Sequence, residues 1–129
     1  VLDDPNHKPL VFACCDTAFA PVKSLVEHAL SLDSAPSINL YWLATRRDGH
    51  FLSNQCRAWS EAIDQLECSL LTDADAGLGA ARTAQAIRQD LFDVDCTCYV
   101  AGPRAFVETL VAELASTGVP AAQIASEVL

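Results

Sequence analysis

The chain alternates between two patterns of hydrophobic residues, one typical of buried strands and the other of amphipathic helices. Short runs that are almost wholly apolar predict strands covered on both faces, and strict alternation of apolar and polar residues predicts a strand at a sheet edge. The alternating stretch is Leu66–Leu70. Together these patterns predict five strands, at Leu10 to about Cys14, Ile38–Ala44, Leu66–Leu70, Cys96–Ala101 and Gln123–Leu129.

Apolar residues three and four positions apart predict a helix after each of the first four strands. Pro21 is expected to open the first helix, Gly102-Pro103 leads into the last, and Gly118 ends it. The segment Thr72–Gly79, which holds two acids and two glycines, is predicted to be a loop. The stripes are Val22, Leu25, Val26, Ala29 and Leu30; Leu52, Cys56, Trp59 and Ile63; Ala80, Ala84, Ile87 and Leu91; and Phe106, Val107, Leu110, Val111 and Leu114.

Strands that alternate with helices over short connections predict an α/β fold, a three-layer, doubly wound, five-stranded parallel sheet. Placing the first and fourth strands side by side in the centre gives the Rossmann-like order 3-2-1-4-5. Ligands of such sheets bind beyond the carboxyl ends of the strands, where the strand order reverses. Two strand-to-helix corners meet at that point, Cys15–Ala20 and Ala101–Arg104. This edge is the predicted site.

Composition limits the classes of partner. The 129 residues are half apolar and carry a formal net charge of −9, which suits one soluble domain and argues against binding nucleic acid. No apolar run is long enough to span a membrane. Six cysteines without a C-x-x-C pair indicate neither zinc nor another metal, and a reducing cytoplasm is expected. Residues 1–9 are polar and are predicted to be a linker, with the domain at residues 10–129.

Four stretches in the same order resemble one family. Val11–Leu25 is similar to the strand, loop and helix that open the nicotinamide-nucleotide domain of the ferredoxin–NADP reductase superfamily, whose loop usually reads Gly-Gly-Thr-Gly-Phe-Ala-Pro. Leu40-Tyr41-Trp42 with Arg46, Tyr99–Phe106 and Ile124–Leu129 resemble its second strand, its Cys-Gly-Pro corner and its last strand. The likeness covers nearly the whole chain. Within the family, the pattern is most like oxygenase reductases and glucoseen-reductase-like proteins.

The resemblance implies that the chain binds NAD(P)H and passes hydride to FAD held by a preceding domain, to which residues 1–9 would be the linker. An iron–sulfur domain or an oxygenase would be a further partner. The chain itself would supply no catalytic residue, and the isolated domain would be inactive. The implied cofactor-binding residues are Cys15, Asp16, Thr17, Ala18, Arg46, Arg47, Thr72, Ala101, Gly102, Pro103 and Phe106.

Two arginines follow the second strand, where the adenosine ribose lies in the resembling proteins. A cation at this place can pair with the 2′-phosphate of NADPH. Arg46 and Arg47 therefore favour NADPH over NADH, and the alternative is that both are solvated surface residues.

The first loop departs from the family pattern, because the family glycines fall on Cys15, Asp16 and Ala18. Asp16 brings a carboxylate beside the expected dianion, and unit charges 4 Å apart repel by about 4 kcal/mol at an effective dielectric of 20. Either Asp16 turns away, bonding the amides at the helix N-terminus, or the site is weakened. The alternative function is a decayed, non-catalytic interaction or dimerisation module.

Other departures fall at the second corner and at the end of the chain. The family cysteine before Gly-Pro is Ala101, and Leu129 stands where the family often has an aromatic residue that covers the flavin. In the first corner, Cys14 is expected to be a core residue and Cys15 a thiol in the loop.

Overall fold

Five parallel strands form one sheet in the computed structural model, which describes residues 9–32, 37–46, 53–90 and 95–129. The strand order is β3-β2-β1-β4-β5, so the predicted topology, with β1 in the centre, is confirmed. Apolar runs form the inner strands because every residue there is covered by a helix on one face or the other. The strands are β1 (Leu10–Cys15), β2 (Ile38–Ala44), β3 (Leu66–Thr72), β4 (Thr97–Gly102) and β5 (Ile124–Val128).

Helices cover both faces of the sheet and divide the core into two layers. On one side, Phe12, Cys14 and Trp42 pack under the helices that follow β1 and β2. On the other side, Val11, Ala13 and other residues of the same strands pack under the helices that follow β3 and β4. The helices are α1 (Phe19–Leu32), α2 (Ser53–Ala62), α3 (Ala76–Asp90) and α4 (Arg104–Thr117). Within the described ranges, no helix is both long and apolar enough to cross a membrane.

Helix boundaries differ from the predictions in three places. Helix α1 starts at Phe19, so Pro21 is its third residue, still within the first turn where a missing N–H costs nothing. Helix α2 ends at Ala62, so Ile63 lies beyond it. The loop predicted over Thr72–Gly79 is wrong, because Thr72 ends β3 and α3 already begins at Ala76.

Asp75 explains the early start of α3. Its Oδ1 accepts a hydrogen bond from the backbone N–H of Leu78 at 2.9 Å, the geometry of an N-cap. Gly79 lies inside the helix, and it must be a glycine because an added Cβ would stand 2.4 Å from a methyl carbon of Leu43 in β2. The two glycines that suggested a loop therefore belong to a helix that packs closely on the sheet.

Smaller differences concern the ends of strands. Cys15 is the last residue of β1 and is buried, so the expectation of a loop thiol is wrong. Gln123 belongs to a short 3₁₀ turn, and β5 starts one residue later, at Ile124. The predictions that fall on residues 1–8, Arg47, Leu52 and Leu91 lie outside the described residues.

Candidate functional site

The two predicted corners touch at the carboxyl edge of the sheet. Strands β1 and β4 are hydrogen-bonded neighbours, paired up to Cys14 and Ala101. Just beyond that pair, a Cβ built on Gly102 would lie 3.0 Å from the Cβ of Cys15 and 3.1 Å from a ring carbon of Phe106. Gly102 also has φ +155, a conformation that side chains rarely adopt. Only a glycine therefore lets the second corner pack this closely against the first.

Asp16 forms the turn of the first corner. Its φ of 54° lies in the left-handed region, which aspartate tolerates better than most residues because its short side chain can hydrogen-bond locally. A 3₁₀ turn over Asp16–Ala18 then leads into α1. This backbone geometry accounts for the glycine that the resembling family places here.

The carboxylate of Asp16 is held by the residue that follows β2. Thr45 donates its backbone N–H to Oδ1 at 2.8 Å and its hydroxyl to Oδ2. Asp16 is only 9% exposed, so these hydrogen bonds replace most of the water around its charge. The suggestion that the carboxylate bonds the amides of the α1 N-terminus is wrong, because it is engaged on the β2 side instead.

Trp42 secures the same turn from below. Its indole Nε1 donates a hydrogen bond to the backbone carbonyl of Asp16 at 2.9 Å, and its ring stacks on Phe19 at 3.9 Å between centroids. Trp42 is completely buried in the α1–α2 layer. The first corner is therefore fixed by contacts from β2 on its backbone and on its side chain.

The remaining residues of the first corner differ in exposure. Thr17 is exposed to solvent, whereas Ala18 is buried against the α1–α2 layer of the core. Helix α1 has 14 residues and begins directly after them. Thr17 therefore lies in the turn that leads into a long helix, at the end of that helix that carries partial positive charge.

The second corner is the start of α4. Pro103 is the N-cap residue, and its carbonyl accepts the N–H of Val107 at 3.0 Å. Ala101 and Phe106 are fully buried and shape the floor beneath it. The backbone N–H of Leu129 donates to the carbonyl of Gly102 at 2.9 Å, which brings exposed Leu129 beside this corner.

Cations lie along the same edge in an otherwise acidic chain. Arg46 follows β2, is exposed, and is near enough to Cys15 to act on its charge state. Arg82 of α3 donates to the carbonyl of Thr72 at 2.9 Å and also approaches Asp73 at 3.4 Å. Arg104 opens α4. Arg82 is paired with Asp73 and Arg104 with Glu108, at 3.4 and 3.5 Å, so Arg46 is the main candidate partner for a phosphate at this edge.

The predicted residues are not all equally close to the corners. Thr72 ends the edge strand β3, two strands from β1, so it lies roughly 10 Å to the side. Arg47 falls outside the described residues. The remaining predicted residues lie at the ends of β1 and β4, directly after β1, β2 or β4, or, for Phe106, in the first turn of α4; they are Cys15, Asp16, Thr17, Ala18, Arg46, Ala101, Gly102, Pro103 and Phe106.

The thiols of the first corner are not nucleophiles. Burial, with the charge of Asp16 and a hydrogen bond to it, raises the pKa of Cys15 to about 12. Burial also raises the pKa of Cys14 well above its usual value. Since a thiol reacts as its thiolate, neither group is reactive at neutral pH. Among the described residues, no group of three or more histidine, cysteine or acidic side chains could hold a metal.

A cavity of about 510 Å³ opens at the opposite, amino edge of the sheet. Asp64, Glu67 and Asp90 line it together with neutral polar residues. Carboxylates in this number repel phosphate, so the cavity does not suit the ligand expected at the carboxyl edge.

Three contributors to the site were not predicted from the sequence: Thr45, Trp42 and Arg82. The sequence carries no signal for Thr45 and Trp42, because their contacts depend on the register that pairs Cys15 of β1 with Leu43 of β2 and brings the residues after each strand together. Arg82 carries no such signal because its role depends on how α3 folds back to the end of β3.

Comparison with known sequences finds a match to part of the chain. No protein-family model matches the chain. Over 61 residues it is 34% identical to Protein RfbI of Salmonella typhimurium, a match that covers 47% of this chain and 18% of that protein.

Solved structures match nearly the whole chain at low sequence identity. A cytochrome P450 reductase from Amycolatopsis, GcoB, has a TM-score of 0.80 at 17% identity, covering 98% of this chain and 39% of its own. A ferredoxin NADP+ reductase from Neisseria gonorrhoeae with bound FAD and NADP has a TM-score of 0.74 at 18% identity, covering 96% of this chain and 57% of its own. A flavohemoglobin from Malassezia yamatoensis has a TM-score of 0.76 at 13% identity, covering 98% of this chain and 33% of its own. The chain thus spans only part of each of these proteins. It has the fold of the Rossmann-like NADP-binding domain of ferredoxin–NADP reductases.

Proposed function

We propose that this chain binds NADH or NADPH and positions the nicotinamide for hydride transfer to an FAD held by another domain. The observation that carries the proposal is the contact of two strand-to-helix corners at the point where the strand order reverses. Parallel sheets of this kind bind dinucleotides at that point. The proteins with this fold include reductases whose structures contain FAD and NADP.

The groups present fit an anionic dinucleotide. Thr17 offers an exposed hydroxyl in the turn that leads into α1, and Arg46, which follows β2, offers an exposed guanidinium. Amides at a helix N-terminus and arginine are the usual partners of phosphate. The carboxylate of Asp16 opposes the fit, but its hydrogen bonds to Thr45 fix it on the β2 side of the turn.

Each part of the chain has a positioning role in this mechanism. The turn over Asp16–Ala18 and Arg46 would hold the phosphates, and Gly102 with Pro103 would contact the nicotinamide. The bound cofactor supplies the hydride, so the protein contributes orientation and electrostatics. No side chain of this chain acts as a catalyst, and the isolated domain is inactive.

The proposal extends to the rest of the protein. Residues 1–9 would link this domain to a preceding flavin domain, and an iron–sulfur domain or an oxygenase would receive the electrons. The protein would act in the cytoplasm.

Calorimetric titration with NADPH and NADH tests the site. We expect NADPH to bind more tightly, and Arg46→Ala to lower its affinity about tenfold, equivalent to 1.4 kcal/mol, with little effect on NADH. Arg88→Ala is the matched control, because Arg88 is paired with Glu113 on the α3–α4 surface at 2.9 Å. Equal affinities for both nucleotides, unchanged by either substitution, would assign Arg46 to the general surface.

A second candidate function is a non-catalytic interaction or dimerisation module. The observation in its favour is Asp16, whose fixed negative charge replaces a glycine of the resembling loop. Absence of nucleotide binding at millimolar concentration, even with the flavin domain present, would support this candidate and contradict the first.

A further inference from the structure

Two cysteines line one cavity between α2 and the edge strand β3. Cys56 belongs to α2 and is 2% exposed, and Cys68 belongs to β3 and is partly exposed. Both line an open cavity of about 250 Å³, together with Arg57, Ser60 and Leu70. A small polar reagent that enters this cavity can therefore reach both thiols.

The surroundings make the two sulfurs unequal. Hydrogen bonding from Cys56, with a smaller contribution from Ser60, lowers the pKa of Cys68, although burial opposes the shift. Hydrogen bonding to Cys68 is the main cause that raises the pKa of Cys56, and burial is the second. Cys68 therefore forms a thiolate more readily than Cys56, an inequality that suits an attacking and a resolving thiol.

We propose that Cys68 and Cys56 form an oxidisable dithiol that reacts with hydroperoxides and closes to a disulfide between α2 and β3. In the first step the Cys68 thiolate attacks hydrogen peroxide. The O–O bond breaks, an S–O bond forms, and the hydroxide released takes up a proton as water. In the second step the Cys56 sulfur attacks Cys68, the S–O bond breaks, and the hydroxyl group leaves with the Cys56 proton as water. In total two thiols and one peroxide give one disulfide and two waters.

The chain contains a matched control pair. The sulfurs of Cys96 and Cys98 lie 3.7 Å apart, and both residues are completely buried, at 0% exposure. The hydrogen bond to Cys96, with burial as the second cause, raises the pKa of Cys98. This pair has proximity without access. A difference in reactivity between the two pairs therefore measures what access through the cavity contributes.

The experiment treats the reduced chain with hydrogen peroxide, blocks remaining thiols with an alkylating agent after unfolding, and maps tryptic peptides by mass. Trypsin cleaves after Arg57, so Cys56 and Cys68 fall in separate peptides, and the disulfide joins them. We expect the joined peptides to accumulate first, while Cys96 and Cys98 remain alkylated. No joined peptide, a bond from Cys68 to Cys14, or equally fast oxidation of the Cys96 pair would overturn the proposal.

Two variants assign the order of the steps. Cys56→Ser should leave a sulfenic acid on Cys68 that dimedone traps, and Cys68→Ser should abolish peroxide-dependent oxidation of Cys56. Circular dichroism checks that both variants are folded, and the wild-type map stands independently of them. Trapping of the sulfenic acid on Cys56, with none on Cys68, would contradict the assignment of the attacking sulfur.

Discussion

Asp16 shows at the scale of one residue how a stabilising contact and a ligand compete. Its left-handed backbone costs some free energy, and the two hydrogen bonds from Thr45 return part of it. The same carboxylate places a negative charge in the turn where phosphate is expected. Stability of the apoprotein and affinity for the dinucleotide therefore favour different residues at this position.

Replacement of Asp16 should separate these effects. Asp16→Gly removes the charge and suits φ 54°, so we expect dinucleotide affinity to rise by up to about tenfold, or 1.4 kcal/mol. Loss of both Thr45 hydrogen bonds should lower the free energy of unfolding by about 1 kcal/mol. Titration and urea unfolding at matched ionic strength measure the two quantities.

Asp16→Asn is the control for this pair of effects, since it keeps an oxygen for Thr45 and tolerates the left-handed region while losing the charge. It should gain affinity with a smaller loss of stability. Equal and tight binding by all three proteins would show that the carboxylate does not affect the site.

Gly102 is the residue on which the contact of the two corners depends. Gly102→Ala should lower the free energy of unfolding by about 1–3 kcal/mol, because the new methyl group would meet Cys15 and Phe106. Dinucleotide affinity should fall with it as the corners separate. Gly77→Ala provides the control, since its Cβ would meet only the side chain of Asp75, at 3.3 Å. A loss no greater than that of the control would show that the corners tolerate separation.

At the scale of elements, the strands and their order could be predicted because uninterrupted apolar runs occur only where both faces of a strand are covered. The start of α3 could not be predicted, since Gly77 and Gly79 resemble loop residues until the close approach of Leu43 is known. The corners followed from strands that end before Pro21 and Pro103. The hydrogen bonds from Thr45 to Asp16 could not be predicted, because they depend on the register of two strands.

The N-cap of α3 gives a prediction at the same scale. Asp75→Ala should lower the free energy of unfolding by about 1 kcal/mol, because the N–H of Leu78 loses its acceptor. Asp75→Asn, which restores a capping oxygen, should recover most of that loss. Chemical denaturation of the three proteins measures both differences, and identical midpoints would mean that the cap contributes nothing to α3.

At the scale of the whole molecule, the two edges of the sheet differ in charge. Arginines lie at the carboxyl edge, and a cavity lined by carboxylates lies at the amino edge. The carboxylates of the amino edge repel a ligand rich in phosphate, whereas an arginine at the carboxyl edge can pair with it. In the proposed function, the face beside Gly102 and Leu129 would meet the domain that accepts the hydride.

The proposed division of labour predicts that this chain, purified alone, carries no flavin. No stretch of the chain resembles a flavin-binding motif. Its solution should therefore be colourless above roughly 400 nm, where flavins absorb and proteins with no prosthetic group do not. A yellow preparation with one flavin per chain would place the flavin site within these residues and contradict the proposal.

The hydrogen bond from Trp42 to the carbonyl of Asp16 also has a spectroscopic use. The chain has two tryptophans, and Trp59 lies in α2. In a Trp59→Phe variant, the emission of Trp42 would come from an indole bonded directly to the turn that holds the phosphates in the proposed function. Any movement of that turn would change the emission of the indole, so the site contains its own fluorescent probe.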